Sequence, residues 1–113
     1  MKKFLLMMIP VIGMVGCGQS KQLSPKEAWQ NFCTTIPGAA YNIMTDRQQN
    51  IQKAAALEHA KKVQELHAQK FLVNLVEEAY KVPVYDQLEK QQQAMENFSK
   101  GRYEECIKQT NQQ

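Results

Sequence analysis

The sequence predicts an all-α protein, a small up-down-up three-helix bundle with a kinked first arm. Three observations carry that prediction. Apolar residues recur at spacings of three and four, no segment sustains the alternation of a strand, and the few prolines and glycines divide the chain into arms.

The first arm opens at Ser24-Pro25-Lys26-Glu27, which matches a capping box with Pro25 at the first helical position. Ala28, Trp29, Phe32, Cys33 and Ile36 then form one apolar stripe. Pro37-Gly38 interrupts the stripe, which resumes at Ala40, Ile43 and Met44. From Thr45 to Val82 there is neither proline nor glycine, and helix formers dominate, so intrinsic propensity favours a single long second arm. Thr45 or Asp46 is the expected cap, with Gln48 or Gln49 three positions on. The expected inner seam is Ile51, Ala55, His59, Val63 and Leu66, widening to Phe71, Leu72, Val73, Leu75, Val76, Ala79 and Tyr80. Val82-Pro83 ends that arm, because the residue before proline is pushed out of the α region. The third arm presents Leu88, Met95, Phe98, Tyr103, Cys106 and Ile107, with Gly101 as a weak point, and residues 111–113 are expected to fray.

The start of the chain is of another kind. Met1-Lys2-Lys3 is a short positive segment, and residues 4–15 are almost wholly apolar, which is the layout of an export signal. A spanning helix needs about 20 apolar residues, and this run turns polar at Gln19, Ser20 and Lys21. Met14-Val15-Gly16-Cys17 resembles the lipobox of bacterial lipoproteins, with Met14 where leucine is commoner. That resemblance covers the first seventeen residues only. It implies acylation of the Cys17 thiol, cleavage between Gly16 and Cys17, and further acylation of the new amine. Each buried CH₂ contributes about 0.8 kcal/mol, so two or three chains make attachment effectively permanent. Gly18 in place of aspartate after the cysteine points, by resemblance to enterobacterial sorting, to the outer membrane. The expected organisation is a signal peptide over 1–16, a lipidated tether over 17–23, a helical domain over 24–110 and a tail over 111–113.

Cleavage leaves 97 residues, enough for one domain of modest stability. The precursor carries 14 Lys and Arg against 11 Asp and Glu, and loss of Lys2 and Lys3 brings the two nearly level. A near-neutral mature chain argues against nucleic acid as a partner. With Cys17 carrying lipid, Cys33 and Cys106 remain, and in an oxidising compartment their natural state is one disulfide. Closing roughly 70 residues removes about 4 kcal/mol of freedom from the unfolded chain.

The same bond constrains the arms. If Val82-Pro83 is a tight reversal, antiparallel arms bring together residues whose numbers sum to about 165, so Cys106 lies level with residue 59. A first reversal at Pro37-Gly38 puts Cys33 level with residue 41, about 27 Å away along the axis, too far for a disulfide. A reversal near Thr45-Asp46 puts Cys33 level with residue 57, and the cysteines meet. Turns near residues 45 and 83 are therefore expected.

Catalytic constellations are not evident. His59 and His67, the two histidines, stand about 80° apart around a common helix and cannot form the i, i+4 pair of HExxH, so no metal is expected. His59 is expected to be half-buried and His67 exposed. No CxxCH haem attachment is present. Glu77-Glu78 and Glu104-Glu105 diverge as helix neighbours do and read as solvated faces. Ser20, Ser24 and Ser99 lack the glycine context of a nucleophile elbow. Lys61-Lys62 and Lys100-Gly101-Arg102 are pairs rather than clusters of four or more cations. Fifteen glutamines read as solvated helix surface, since only Gln91 to Gln93 form a run. Trp29, Phe32, Tyr80, Tyr85, Phe98 and Tyr103 are the candidate core anchors, with Tyr41 and Tyr85 the more exposed tyrosines.

These readings favour a non-enzymatic envelope protein without cofactor, anchored to the membrane through lipid on Cys17, facing the periplasm and engaging an envelope protein as a binding or structural module. A chaperone-like or stress-protective role is the alternative, prompted by a small disulfide-closed domain with many glutamines and two titratable histidines.

Overall fold

A computed structural model describes residues 22–112. The leader, Cys17 and the tether up to Lys21 lie outside the described residues. Five α-helices follow in order: α1 (Pro25–Gln48), α2 (Lys53–Lys61), α3 (Leu66–Ala79), α4 (Leu88–Ser99) and α5 (Arg102–Lys108). A 3-10 turn, Gln109–Gln112, then takes in two of the three residues expected to fray. The described residues are all helical, and Cys33 is bonded to Cys106 with Cα atoms 5.5 Å apart.

The α1 helix begins as its sequence dictates. The Ser24 hydroxyl accepts from the Glu27 N–H and the Glu27 carboxylate accepts from the Ser24 N–H, each at 3.1 Å. Trp29, Cys33, Ile36, Ala40, Met44 and Gln48 are buried at steps of three and four, while Phe32 and Ile43 are partly buried and Ala28 is exposed. The helix continues through Pro37 and past the expected turn near residue 45, so Thr45 and Asp46 lie inside it rather than capping a second arm. Thr45 donates to the Tyr41 carbonyl and reaches the Met95 sulfur, so its hydroxyl is spent within the bundle. Reversal comes only at Asn50, where φ is +62°, a left-handed conformation that asparagine tolerates better than most residues with a Cβ.

The expected long second arm does not form, and with it falls the three-arm, up-down-up course. Residues 62–65 interrupt it, and α2 folds back along α3. Lys53 pairs with Glu77, and the Tyr80 hydroxyl donates to the Ile51 carbonyl at 2.8 Å, so the start of α2 lies beside the end of α3. Ala56 and Ala60 pack on Val76, small side chains that let the two helices approach closely. Polar side chains close the break: the Gln69 amide donates to the carbonyls of Lys61 and Val63 at 2.8 and 3.1 Å, and the Glu65 carboxylate accepts from the N–H groups of His67 and Ala68 at 3.1 and 2.7 Å. Helix ends whose carbonyls and N–H groups find such partners are satisfied without a longer helix.

That hairpin rearranges the seam. Ile51, Ala55, His59 and Leu66, expected to face inward, are exposed, and the buried residues of the hairpin are Ala56, Ala60, Ala68, Phe71, Leu75, Val76 and Ala79. The α3 helix runs parallel to α1: Trp29 meets His67 and Phe71 near the start of both, and Arg47 and Gln48 bond the Val82 and Pro83 carbonyls beyond the end of α3. Antiparallel to α1 run α4 and α5, with Met95 beside Thr45 and Cys106 bonded to Cys33. The cysteines thus meet, but as direct neighbours on α1 and α5 and not through a shared level on a long middle arm.

Between α4 and α5 the break falls where the sequence places it. Gly101 takes φ +80°, a conformation that strains any residue with a Cβ. Arg102 holds the two pieces together, donating from Nε to the Phe98 carbonyl at 2.8 Å while its guanidinium stacks 4.2 Å from the Phe98 ring centroid. Leu88 and Tyr103, both expected on the inner face, are exposed, whereas Phe98 and Cys106 are buried. No helix among the described residues is long and apolar enough to cross a membrane.

Candidate functional site

Two of the three cysteines singled out in the sequence, Cys33 and Cys106, form the hub of one end of the bundle. Both are fully buried. The Trp29 indole N–H donates to the Cys106 carbonyl at 2.9 Å, tying α1 to α5 beside the disulfide. Around the indole stand Phe32, His67 and Phe71, with ring centroids 4.9, 4.5 and 5.9 Å from it. Edge-to-face and tilted contacts of this kind add to the packing of the apolar surface. The two histidines therefore exchange their expected places: His67 packs against Trp29 and is partly buried, while His59 is exposed on α2. The break at residues 62–65 explains the exchange, since it turns His67 toward α1 and lets α2 bury its alanines instead. His67 Nε2 is sealed from solvent and finds no hydrogen-bond partner among the described residues.

Beside this aromatic cluster lies an open groove of about 340 Å³, lined by Pro25, Ala28, Trp29, Phe32, Val63, Glu65 and Ala68. Its walls are almost wholly apolar. Leu66, adjacent in the chain, is 60% exposed, and Leu23, just before α1, is 48% exposed.

The opposite end is built from polar bonds. Gln48 is buried, and its amide both donates to the Pro83 carbonyl at 2.9 Å and accepts from the Tyr85 N–H at 2.8 Å. Next to it, Arg47 Nε donates to the Val82 carbonyl at 2.8 Å, with the guanidinium 5.3 Å from the Tyr80 ring centroid. The connection between α3 and α4 is thereby fastened to the last turn of α1. A second groove of about 460 Å³ opens here between Arg47, Lys53, Glu77, Tyr80 and Lys81. Burial, with the nearby Asp46 carboxylate and against the Arg47 charge, pushes the Tyr80 phenol above its ordinary value. The sequence singles out Gln48 only as a capping partner for Thr45, a role the structure does not give it, and Arg47 not at all, because an arginine there looks like solvated surface. The one available signal is that Gln48 continues the buried stripe four residues after Met44.

Three of the four glutamates in the acidic pairs are held by cations. Glu77 pairs with Lys53, and Glu78 and Glu105 both pair with Arg102, at 2.9 and 3.2 Å. Among the described residues, no group of three or more His, Cys, Asp or Glu side chains converges as a metal site requires. Of the buried polar groups, the Trp29 indole and the Gln48 amide serve main-chain partners. No family model, curated protein or solved structure matches the chain.

Proposed function

We propose that the chain is a lipid-anchored protein of the cell envelope, held at the membrane through Cys17, which acts by contact as a non-catalytic binding or structural module. The observation that carries this reading is Met14-Val15-Gly16-Cys17 at the close of an apolar leader headed by Lys2-Lys3. Gly18 after the cysteine favours the outer membrane, with the helical domain facing the periplasm. Support for action by contact comes from the way buried polar groups are used. Trp29 and Gln48 spend their hydrogen bonds on the main chain of neighbouring elements, which stiffens the domain and leaves its surface to recognise a partner.

Crosslinking in intact cells, followed by purification from the membrane fraction, tests the reading. One envelope protein recovered in constant ratio with the chain is the expected result. Recovery of many unfolded clients that increase under stress would favour a chaperone-like role instead, and recovery of the chain alone in the soluble fraction would remove the anchored module altogether.

A further inference from the structure

We propose that the end of the bundle carrying Leu23, Leu66 and the Trp29 groove rests on the surface of an anionic bilayer. The inference depends on the anchoring of Cys17 put forward above, and adds to it a fixed face and orientation. Three observations point the same way.

The first is reach. Five residues lie between Cys17 and Leu23, so Leu23 can stand at most about 22 Å from the lipid attachment. The headgroup layer is itself about 5–8 Å deep. The start of α1 is therefore held within reach of the headgroups, while the far end of this 24-residue helix lies about 36 Å further along its axis.

The second is chemistry. The near end gathers apolar surface that the protein itself does not fully cover: Leu66 and Leu23 are 60% and 48% exposed, and the adjoining groove is walled by exposed Pro25 and Ala28 and half-buried Phe32 and Val63, over the buried Trp29 and Ala68. Side chains of this kind gain from entering the boundary between headgroups and acyl chains.

The third is charge. Lys26, Lys61 and Lys62 are exposed at this end, Lys26 and Lys62 next in the chain to the groove residues Pro25 and Val63, and such long side chains can reach phosphate. Glu27 and Glu65 share this end, but their carboxylates are turned onto main-chain N–H groups at the starts of α1 and α3, where helix dipoles offset them.

Site-specific fluorescence tests the inference. The acylated full-length product is reconstituted in vesicles of phosphatidylcholine and phosphatidylglycerol whose acyl chains carry bromine, a quencher of tryptophan. Leu66→Trp and Leu88→Trp place reporters at exposed positions on opposite ends, and the added emission is read against the parent protein. The expected result is a blue shift and strong quenching for Leu66→Trp, little change for Leu88→Trp, and a loss of the Leu66→Trp effect with Lys61→Glu/Lys62→Glu. The unsubstituted protein supplies the baseline, because its single tryptophan, Trp29, is buried beneath the groove. Equal quenching of the two reporters, or none, in protein whose mass shows acylation would overturn the inference and leave the anchor standing. Protein without acyl mass would overturn the anchor and the inference together. A Leu66→Trp blue shift that grows with protein concentration in the absence of lipid would assign this end to a second copy of the chain, and so also overturn it.

Discussion

Replacing Gln48 by methionine tests the fastening of the α3–α4 connection to α1. The substitution keeps an unbranched side chain of similar length and helix propensity, so its effect comes mainly from the two hydrogen bonds it removes. The Pro83 carbonyl and the Tyr85 N–H, bonded to the amide at 2.9 and 2.8 Å, are left without that partner. A buried group left unsatisfied costs about 1–3 kcal/mol. Both bonds are only partly buried, so the lower half of that range applies to each, about 3 kcal/mol together. The more apolar methionine offsets about 1 kcal/mol of this. The net loss is about 2 kcal/mol, which for a domain of this size lowers Tm by about 10 °C. Urea unfolding and thermal melting of the oxidised protein measure it. Gln48→Glu refines the test. At neutral pH its carboxylate still accepts from Tyr85 but cannot donate to Pro83, and acidification supplies the missing proton. Its folded-state pKa is thus raised, and stability should return as pH falls through the carboxyl range. A Gln48→Met protein that melts with the parent, together with a Gln48→Glu protein indifferent to pH, would refute the reasoning.

Three further outcomes follow from other parts of the fold. The Cys33–Cys106 bond spans a sequence separation of 73, so the double replacement Cys33→Ala/Cys106→Ala loses about 4.5 kcal/mol on the chain-entropy relation, read as a lower urea midpoint. The raised Tyr80 phenol, whose cause is first its burial and then Asp46, contributes stability that is full below the ordinary tyrosine value of about 10 and is lost as pH rises through the folded value. Tyr80→Phe should remove that part of the alkaline decline, at the expense of the bond to the Ile51 carbonyl, and parallel curves for the two proteins would count against it. Glu65→Ala removes the cap of α3 and costs about 1 kcal/mol, and amide exchange at His67 and Ala68 should quicken before exchange at Leu75 does.

What the sequence reveals is the part of the fold written in local chemistry. Ser24 and Glu27 start α1 because the capping box is a local pattern, and Gly101 interrupts the last arm because only its backbone accepts the conformation found there without strain. The apolar stripe of α1 is legible for the same reason, since period alone places Trp29, Cys33, Ile36, Ala40 and Met44 on one face. The break at residues 62–65 is not legible. Its residues are serviceable helix formers, and the α2–α3 hairpin is stabilised by contacts far apart in the chain, Ala56 and Ala60 on Val76 and Lys53 on Glu77. Even the cap is disguised, because glutamate is an uncommon residue at that position and the partners of Gln69 are visible only once the turn exists. The exposure of His59 and the packing of His67 on Trp29 follow from that one break. The aromatic hub was foreseeable as apolar mass near the disulfide, whereas the groove beside it depends on Val63 and Glu65 being brought back to α1.

Acylation of Cys17 tests the central claim most directly, because the anchor, the compartment and the orientation at the membrane all descend from it. Labelled palmitate supplied to bacteria expressing the chain should enter the protein, and the N-terminal peptide of the purified product should begin at Cys17 with the mass of its acyl groups. Cys17→Ala should abolish both the label and retention in the membrane pellet. A Cys17→Ala protein that remains in the membrane with undiminished label would contradict the account.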